Sequence, residues 1–452
     1  MKTFKALIGL ASVGLVTAQT AITVNIGTTY QQIDGFGFSQ AFGPVRRQGL
    51  DYLFNTTTGA GFTIIRNRIG SGGSGDSILP NSPGSPAGNP AYSWNNDDSG
   101  QVWLSQEAMR YGVKTIYADA WSAPGFMKTN GVETNGGYLC GTTGHSCSSG
   151  DWRQAYANFL VKYVQYYKDA GIPVTHLGFL NEPDYTVSYS SMLINVNNPV
   201  EVTSFLPILS ATLQSAGLDT QVKIACCDTI GWGNAKTVAG RLISAGVENY
   251  LGLLTSHMYT GDPNSAITGT KLPVWMTEGA DLSSPWATTW YNNGGLAEGL
   301  TWANKVATGI LNANLSGYIY WQGLEVNQGQ ASSYLVAVLD SKNAIPSGRL
   351  FALTMWSRFV RPGAVRVGTS GTISGVAIGA FKNADGSVVV IFTNSGGSAQ
   401  SSKISFNGFS PSAASAWLTD NSHSVTATVV TLSGGAVTVQ IPARSVVTVK
   451  LT

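Results

Sequence analysis

One theme recurs eight times between residues 33 and 322: a short apolar strand, a Gly or polar turn, then a stretch of helical periodicity that leads to the next strand. The strands read as 33–39, 63–69, 114–121, 175–181, 221–227, 251–259, 272–278 and 316–322, and the clearest helical stretches as 152–170, 199–216 and 297–314. Strand and helix in strict alternation dictate a parallel sheet, because parallel neighbours need a crossover between them. Eight such units in under 300 residues suit a closed (β/α)8 barrel. An open doubly wound sheet is the competing architecture. It is disfavoured because Gly35-Phe36-Gly37-Phe38, at the first strand, lacks the third glycine of a dinucleotide-binding turn.

After Met355 the pattern changes to period two. Runs at 371–381, 387–393, 403–406, 415–419, 424–432 and 436–441 alternate apolar with small polar residues and are punctuated by Gly, Asn-Gly and Asp-Gly turns. This predicts a β-sandwich. Its charge also differs, with seven Lys and Arg against Asp385 and Asp420, or +5. The run 21–26 reads as a strand ahead of the barrel and is expected to join the sandwich, so that both chain ends build one side domain. The predicted division is a signal peptide at 1–18, an N-terminal strand of the side domain at 19–30, a catalytic barrel at 31–355 and the sandwich at 356–452.

The signal peptide rests on Lys2 and Lys5, the apolar run 6–16 and the small-residue end Val16-Thr17-Ala18. That run is shorter than the ~20 residues of a membrane span, and no other is long enough. The expected product is secreted, carries no membrane segment and is a monomer. Its sequons at Asn55 and Asn314 are candidate glycan sites. Without the two leader lysines, 24 basic residues face 24 acidic ones, a balance that argues against a nucleic-acid partner. Cys140 and Cys147 fall in the Gly/Ser/Thr-rich stretch 136–150 and are predicted to form a disulfide that pins the loop. Cys226 and Cys227 are adjacent on a strand, where side chains alternate between faces, so they are expected to be packed thiols. No paired Cys or His spacing suggests a metal, and no cofactor is called for.

Active sites of such barrels lie at the C-terminal ends of the strands. Two ends carry Glu: Asn181-Glu182-Pro183 on the fourth predicted strand and Thr277-Glu278-Gly279 on the seventh. Two carboxylates converging on a barrel mouth supply what glycoside hydrolysis needs, an acid for the leaving oxygen and a nucleophile or base at the anomeric carbon. Trp121 and Trp321, near the ends of the third and eighth strands, are candidate stacking platforms for sugar rings. A dead barrel that only binds carbohydrate would keep such tryptophans but would not need both Glu182 and Glu278.

These motifs resemble glycoside hydrolase family 30. The resemblance is carried in order by Ile33-Asp34-Gly35-Phe36-Gly37, Ile64-Ile65-Arg66, Ala120-Trp121-Ser122-Ala123-Pro124, Lys128-Thr129-Asn130-Gly131, Asn181-Glu182-Pro183, His257-Met258-Tyr259 and Glu278, and it extends over barrel and sandwich. It implies that Glu182 is the general acid/base and Glu278 the nucleophile, with retention of configuration. Asn181 would reach the 2-hydroxyl of the attacked sugar. Arg66 would hold Glu278 ionised, Tyr259 would donate to the same carboxylate, His257 would line the site, and Glu182, with no partner near it in sequence, would have a raised pKa. Phe38-Ser39-Gln40-Ala41-Phe42 departs from the acidic pattern of the glucan and glucosylceramide branches, so the chain looks most like the fungal xylanases. The implied substrate is the polysaccharide xylan, with β-1,6-glucan as the alternative. Arg46 and Arg47 are candidates to bind a glucuronate branch.

Overall fold

The computed structural model describes residues 19–40, 47–72, 75–326, 332–338 and 343–452, excluding the side chains of residues 47, 48, 325 and 326. The predicted signal peptide and Arg46 therefore lie outside the described residues. The strands begin with β1 (Thr20–Gln32), β2 (Gly35–Ser39), β3 (Ile64–Ile69), β4 (Thr115–Ala120), β5 (His176–Gly178), β6 (Lys223–Thr229), β7 (Leu253–His257), β8 (Val274–Glu278) and β9 (Gly317–Tyr320). Of these, β2 to β9 close into a barrel of parallel neighbours in sequence order, β9 pairing back to β2. All eight predicted strands are present.

The helices are α1 (Arg47–Phe54), α2 (Gln101–Arg110), α3 (Arg153–Asp169), α4 (Val200–Ser215), α5 (Trp232–Ser244), α6 (Gly299–Asn312) and α7 (Gly348–Ser357). The longest, α3, shows why the sequence makes a barrel wall. Tyr156, Phe159, Leu160, Tyr163, Val164 and Tyr167 recur at three- and four-residue spacing and are all buried. Burying each contributes about 1.5–3 kcal/mol. The helix stops where Gly171 adopts φ 77°, a left-handed conformation that costs glycine little.

Inside the barrel, Ile64, Tyr117, Ala225, Leu253, Trp275 and Ile319 form one packed cluster. Because alternate strand residues share a face, Arg66 and Asp119 lie two residues further up β3 and β4 from Ile64 and Tyr117, on the same inner wall. Gly178 on β5 makes room for them: a Cβ there would collide with Asp119 Oδ1 and the Tyr117 hydroxyl.

Three short strands follow the barrel, β10 (Gln322–Val326), β11 (Tyr334–Val338) and β12 (Ala344–Pro346), with β11 parallel to β10 and antiparallel to β12. The sequence reading missed this small sheet, because β10 starts two residues after β9 ends and the two merge into one apolar run. The side domain adds β13 (Val365–Ser370), β14 (Val376–Lys382), β15 (Val388–Asn394), β16 (Gln400–Asn407), β17 (Ala414–Thr419), β18 (Thr426–Thr428), β19 (Val430–Ser433), β20 (Ala436–Ile441) and β21 (Ser445–Leu451). Strand β1 lies mid-sheet, antiparallel to β13 and parallel to β16. Its Ile22 and Val24 enter the side domain's own core with Val390, Phe392, Ile404, Val439 and Val449.

Candidate active site

The C-terminal mouth of the barrel is organised around one buried cation. Arg66 on β3 is 0% exposed. Its Nη1 donates to Glu278 Oε2 at 2.6 Å, and its Nη2 to Asp119 Oδ2 at 2.8 Å, Asn181 Oδ1 at 2.6 Å and Asp228 Oδ2 at 2.9 Å. The indole of Trp121 covers the guanidinium, with its ring centroid 4.5 Å from Cζ. Burying that charge is tolerable only because acids from β4, β6 and β8 surround it.

Glu182 follows β5 with φ 49°, and Asp228 on β6 has φ 45°. Such left-handed backbone costs about 1–3 kcal/mol per non-glycine residue and persists where surrounding structure fixes it. Here the Glu182 N–H donates to the Asp228 carbonyl at 2.8 Å. The Glu182 carboxylate accepts from the Tyr189 hydroxyl at 2.7 Å on Oε2 and lies 3.1 Å from His257 Nδ1 through Oε1. Glu278, the last residue of β8, accepts on Oε1 from the Tyr259 hydroxyl at 2.9 Å. Glu182 and Glu278 each bring a carboxylate oxygen to within 4.8 Å of the other's.

His257 is fully buried between these acids, its Nε2 lying 3.7 Å from Asp228 Oδ2 and 3.8 Å from Glu278 Oε2. Burial opposes its charge, but Glu278, Asp228 and Glu182 together push its pKa up to about 10. It is a buried cation enclosed by the three acids. The expectation of a raised Glu182 pKa is corrected: burial pushes its carboxyl up, yet His257 and Tyr189 outweigh this and hold it below the usual range. Glu278 is raised, chiefly by burial and further by Glu182, against His257 and Arg66. Arg66 favours the ionised form of Glu278, as expected, but does not cancel the rise, since the guanidinium divides its charge among three acids.

Asp119 and Asp228 were missed in the sequence, as were Tyr117, Thr277 and Tyr189. The two aspartates touch each other, and a buried carboxylate pair does not ionise twice. Burial and then the Asp228 charge raise Asp119 well above the carboxylate range. Asp228 goes well below it: burial is overcome by Arg66 and His257. Hydroxyls of Tyr117 at 2.8 Å and Thr277 at 2.6 Å donate to Asp228 as well. The signal that could have found these aspartates was an acid embedded in an apolar strand, as in Tyr117-Ala118-Asp119-Ala120.

Glu182, His257 and Glu278 present atoms close enough to ligate a cation. They suit one poorly, because Arg66 already occupies Glu278 and His257 is itself charged. The amide of Asn181 is oriented by Arg66, which takes up its oxygen. Trp121 is only 3% exposed, whereas Trp321, 6.2 Å from it between ring centroids, keeps accessible surface. Arg46 and the side chain of Arg47 lie outside the described residues.

Cys140 and Cys147 are joined, with Cα atoms 5.5 Å apart. Cys226 and Cys227 are joined too, against the expectation of packed thiols: their shared peptide bond is cis, and alternation of side chains holds only along trans extended chain. Asn314 is exposed and Asn55 partly so. No helix among the described residues is long and apolar enough to cross a membrane.

A (β/α)8 barrel with two glutamates converging at its C-terminal mouth and a sandwich at its side defines a carbohydrate-cleaving hydrolase. The O-Glycosyl hydrolase family 30 model matches residues 58–266, and the family 30 β-sandwich model residues 363–449. The catalytic domain of GH30 xylanase C from Talaromyces cellulolyticus is 50% identical with a TM-score of 0.90, covering 96% of this chain and 100% of that one. The chain belongs to glycoside hydrolase family 30. Curated relatives are more distant: endo-1,6-beta-D-glucanase neg1 of Aspergillus fumigatus is 26% identical across 81% of this chain and 79% of its own. Glucuronoxylanase XynC of Bacillus subtilis is 24% identical across 77% and 76%.

Proposed function

We propose that this glycoside hydrolase cleaves β-1,4-xylosidic bonds of xylan with retention, through a covalent glycosyl-enzyme intermediate. The observation that carries the reaction type is the close approach of the two carboxylates, within 4.8 Å. Retaining enzymes hold them about 5–5.5 Å apart, whereas inverting ones leave room for a water between them at about 6.5–9.5 Å.

On this reading Glu278, aligned by Arg66 and Tyr259, attacks the anomeric carbon as Glu182 gives its proton to the leaving oxygen. Glu182 then takes a proton from the water that releases the sugar. A leaving oxygen that accepts a hydrogen bond from Glu182 favours the protonated form of Glu182. The charged His257 ring, 3.1 Å away, donates a hydrogen bond to the same carboxylate and keeps its own proton. Asn181, its oxygen held by Arg66, turns its amide donors toward the 2-hydroxyl, and Trp321 is the accessible stacking ring, backed by Trp121.

Xylan is favoured over other β-glycans by the 50% identity to the Talaromyces xylanase over the full length of that domain. The competing substrate is β-1,6-glucan, the polymer named for the Aspergillus relative. Release of reducing ends from linear xylan, glucuronoxylan and β-1,6-glucan, assayed side by side, tests the choice. Xylans should be cut and β-1,6-glucan should not; the reverse overturns the reading. Glu278→Ala should abolish turnover, with azide restoring some as an inverted product. For a glucuronate preference carried by Arg46 or Arg47, replacing the one that binds the branch with Ala should lower kcat/KM on glucuronoxylan alone by roughly ten- to a hundredfold. Secretion of the product goes with this substrate, a polymer outside the cell.

A further inference from the structure

The stretch after Glu182 holds two tyrosines out in solvent. Tyr185 is 50% and Tyr189 49% exposed, whereas most large apolar side chains of the protein are buried. Exposed rings often sit on yielding loops, but this backbone is tied down along its length. The Asp184 carboxylate accepts from the Ile230 N–H at 2.9 Å and from Asn234 Nδ2 at 2.7 Å. The Tyr185 N–H donates back to the Glu182 carbonyl at 3.0 Å, and the Asn135 N–H donates to the Val187 carbonyl at 2.9 Å. Beyond Tyr189, Ser190 forms an antiparallel bridge with Thr134. The two rings are thus presented from a fixed frame, so a ligand stacking on them has little loop entropy to overcome.

Their place relative to the two carboxylates gives them a side of the cleft. Glu278 is held by Arg66 and Tyr259, whereas Glu182 is held by Tyr189 from the exposed side and by His257 from beneath. If Glu182 protonates the leaving oxygen, the group bonded to its outer oxygen borders the departing sugar. Burial and then the Glu182 charge raise the Tyr189 phenol, and Tyr185 lies close enough to add to that rise.

We propose that Tyr185 and Tyr189 form the platform for the sugar on the leaving-group side, and that the Tyr189 hydroxyl also positions Glu182. The proposal rests on the acid/base assignment of Glu182. The ring of Tyr189 and that of Tyr185 offer apolar faces to a pyranose, while the phenol of Tyr189 fixes the carboxylate that must meet the oxygen between the two sugars.

The test compares xylohexaose, which places sugars on both sides of the scissile bond, with β-xylobiosyl fluoride, whose leaving group is a single atom that needs neither platform nor acid. Tyr185→Ala should lower kcat/KM on xylohexaose roughly tenfold and leave the fluoride within about twofold. Tyr189→Phe keeps the ring and loses the hydroxyl. It should hold KM on xylohexaose, lower kcat and move the alkaline limb of the kcat/KM profile to higher pH. The remaining groups facing Glu182, namely His257, Arg66 and Glu278, are left in place by that change. Equal losses on both substrates, or no loss on xylohexaose, would overturn the platform. An unmoved alkaline limb in Tyr189→Phe would overturn the positioning role. Glu182→Ala separates this from the reading beneath it: near-normal turnover of xylohexaose by that variant removes the acid/base assignment itself. A crippled Glu182→Ala beside a neutral Tyr185→Ala removes only the platform.

Discussion

At the scale of single residues, the site is a charge balance that one strand could not reveal. Arg66 and Glu278 are legible locally, because a charged residue at the end of an apolar strand is conspicuous. Asp119 and Asp228 are as buried as Arg66, yet their purpose depends on partners 53 and 162 positions away in the chain. His257 shows the same dependence, since a histidine in Ser256-His257-Met258 gives no hint of three surrounding acids. Its folded pKa of about 10 lies above the ordinary 6.5, so the fold holds its proton more tightly than the unfolded chain does. The stability this contributes is complete below about pH 6.5 and is lost as the pH rises toward 10. Thermal midpoints of the wild type should accordingly fall across that interval. Those of His257→Asn should lie lower at pH 6, with the gap narrowing toward pH 10; a gap that does not change with pH would mean the ring is neutral in the fold.

At the scale of elements, period and punctuation were enough for most of the molecule. All eight barrel strands could be read because each apolar run is short and flanked by turn residues, and α3 because its apolar stripe recurs every three to four residues. What escaped was structure without a local period: the small sheet β10 to β12, and the loop that follows β5. That loop carries Tyr185 and Tyr189, and a tyrosine in a polar loop looks the same whether it meets a substrate or only water. The loop closed by Cys140 and Cys147 is different, because its composition announces that little else holds it. Cys140 N–H donates to the Met127 carbonyl at 3.0 Å, and the Trp152 N–H donates to the Cys140 carbonyl at 2.9 Å, so the base of the loop is stitched to the barrel. Its tip depends on the bridge and on His145, which stacks on Tyr138 at 3.8 Å and pairs with Glu201 at 2.9 Å. Closing about eight residues is worth roughly 2–3 kcal/mol in the chain-entropy model. The Cys140→Ser/Cys147→Ser double variant should lose up to that amount in denaturant unfolding and be cut by protease within residues 136–150 first. Unchanged stability and an intact loop would show that the Tyr138–His145–Glu201 contacts suffice.

At the scale of the whole molecule, barrel and sandwich are joined in a way that makes independent unfolding costly. The main hydrophobic core does not stop at the barrel: Phe381, Val389, Ile391 and Val446 of the side domain belong to it, alongside Leu353 and Trp356 of α7. Polar contacts cross the same boundary. Arg358 Nε and Arg361 Nη1 each donate at 2.6 Å to the carbonyls of Gly59 and Gly61, and the Thr448 hydroxyl donates at 2.7 Å to the Met355 carbonyl. The chain itself adds a third link, since β1 crosses the sandwich and hands over directly to β2, with Ile33 N–H donating to the Ala364 carbonyl at 2.7 Å at the handover. Removing either unit would expose the apolar side of the other, including Phe381, Val389, Ile391 and Val446. Calorimetry should therefore record one unfolding transition for the whole chain, with the van't Hoff enthalpy close to the calorimetric one, although a chain of this size commonly melts in separate steps. A variant lacking residues 20–30 loses the strand between β13 and β16 and leaves their edges unpaired, so it should aggregate or melt well below the wild type with barrel and sandwich failing together. Two resolved transitions in the intact protein, or a shortened chain whose barrel keeps its melting temperature and activity, would show that the side domain is an appendage rather than part of the scaffold that holds the site.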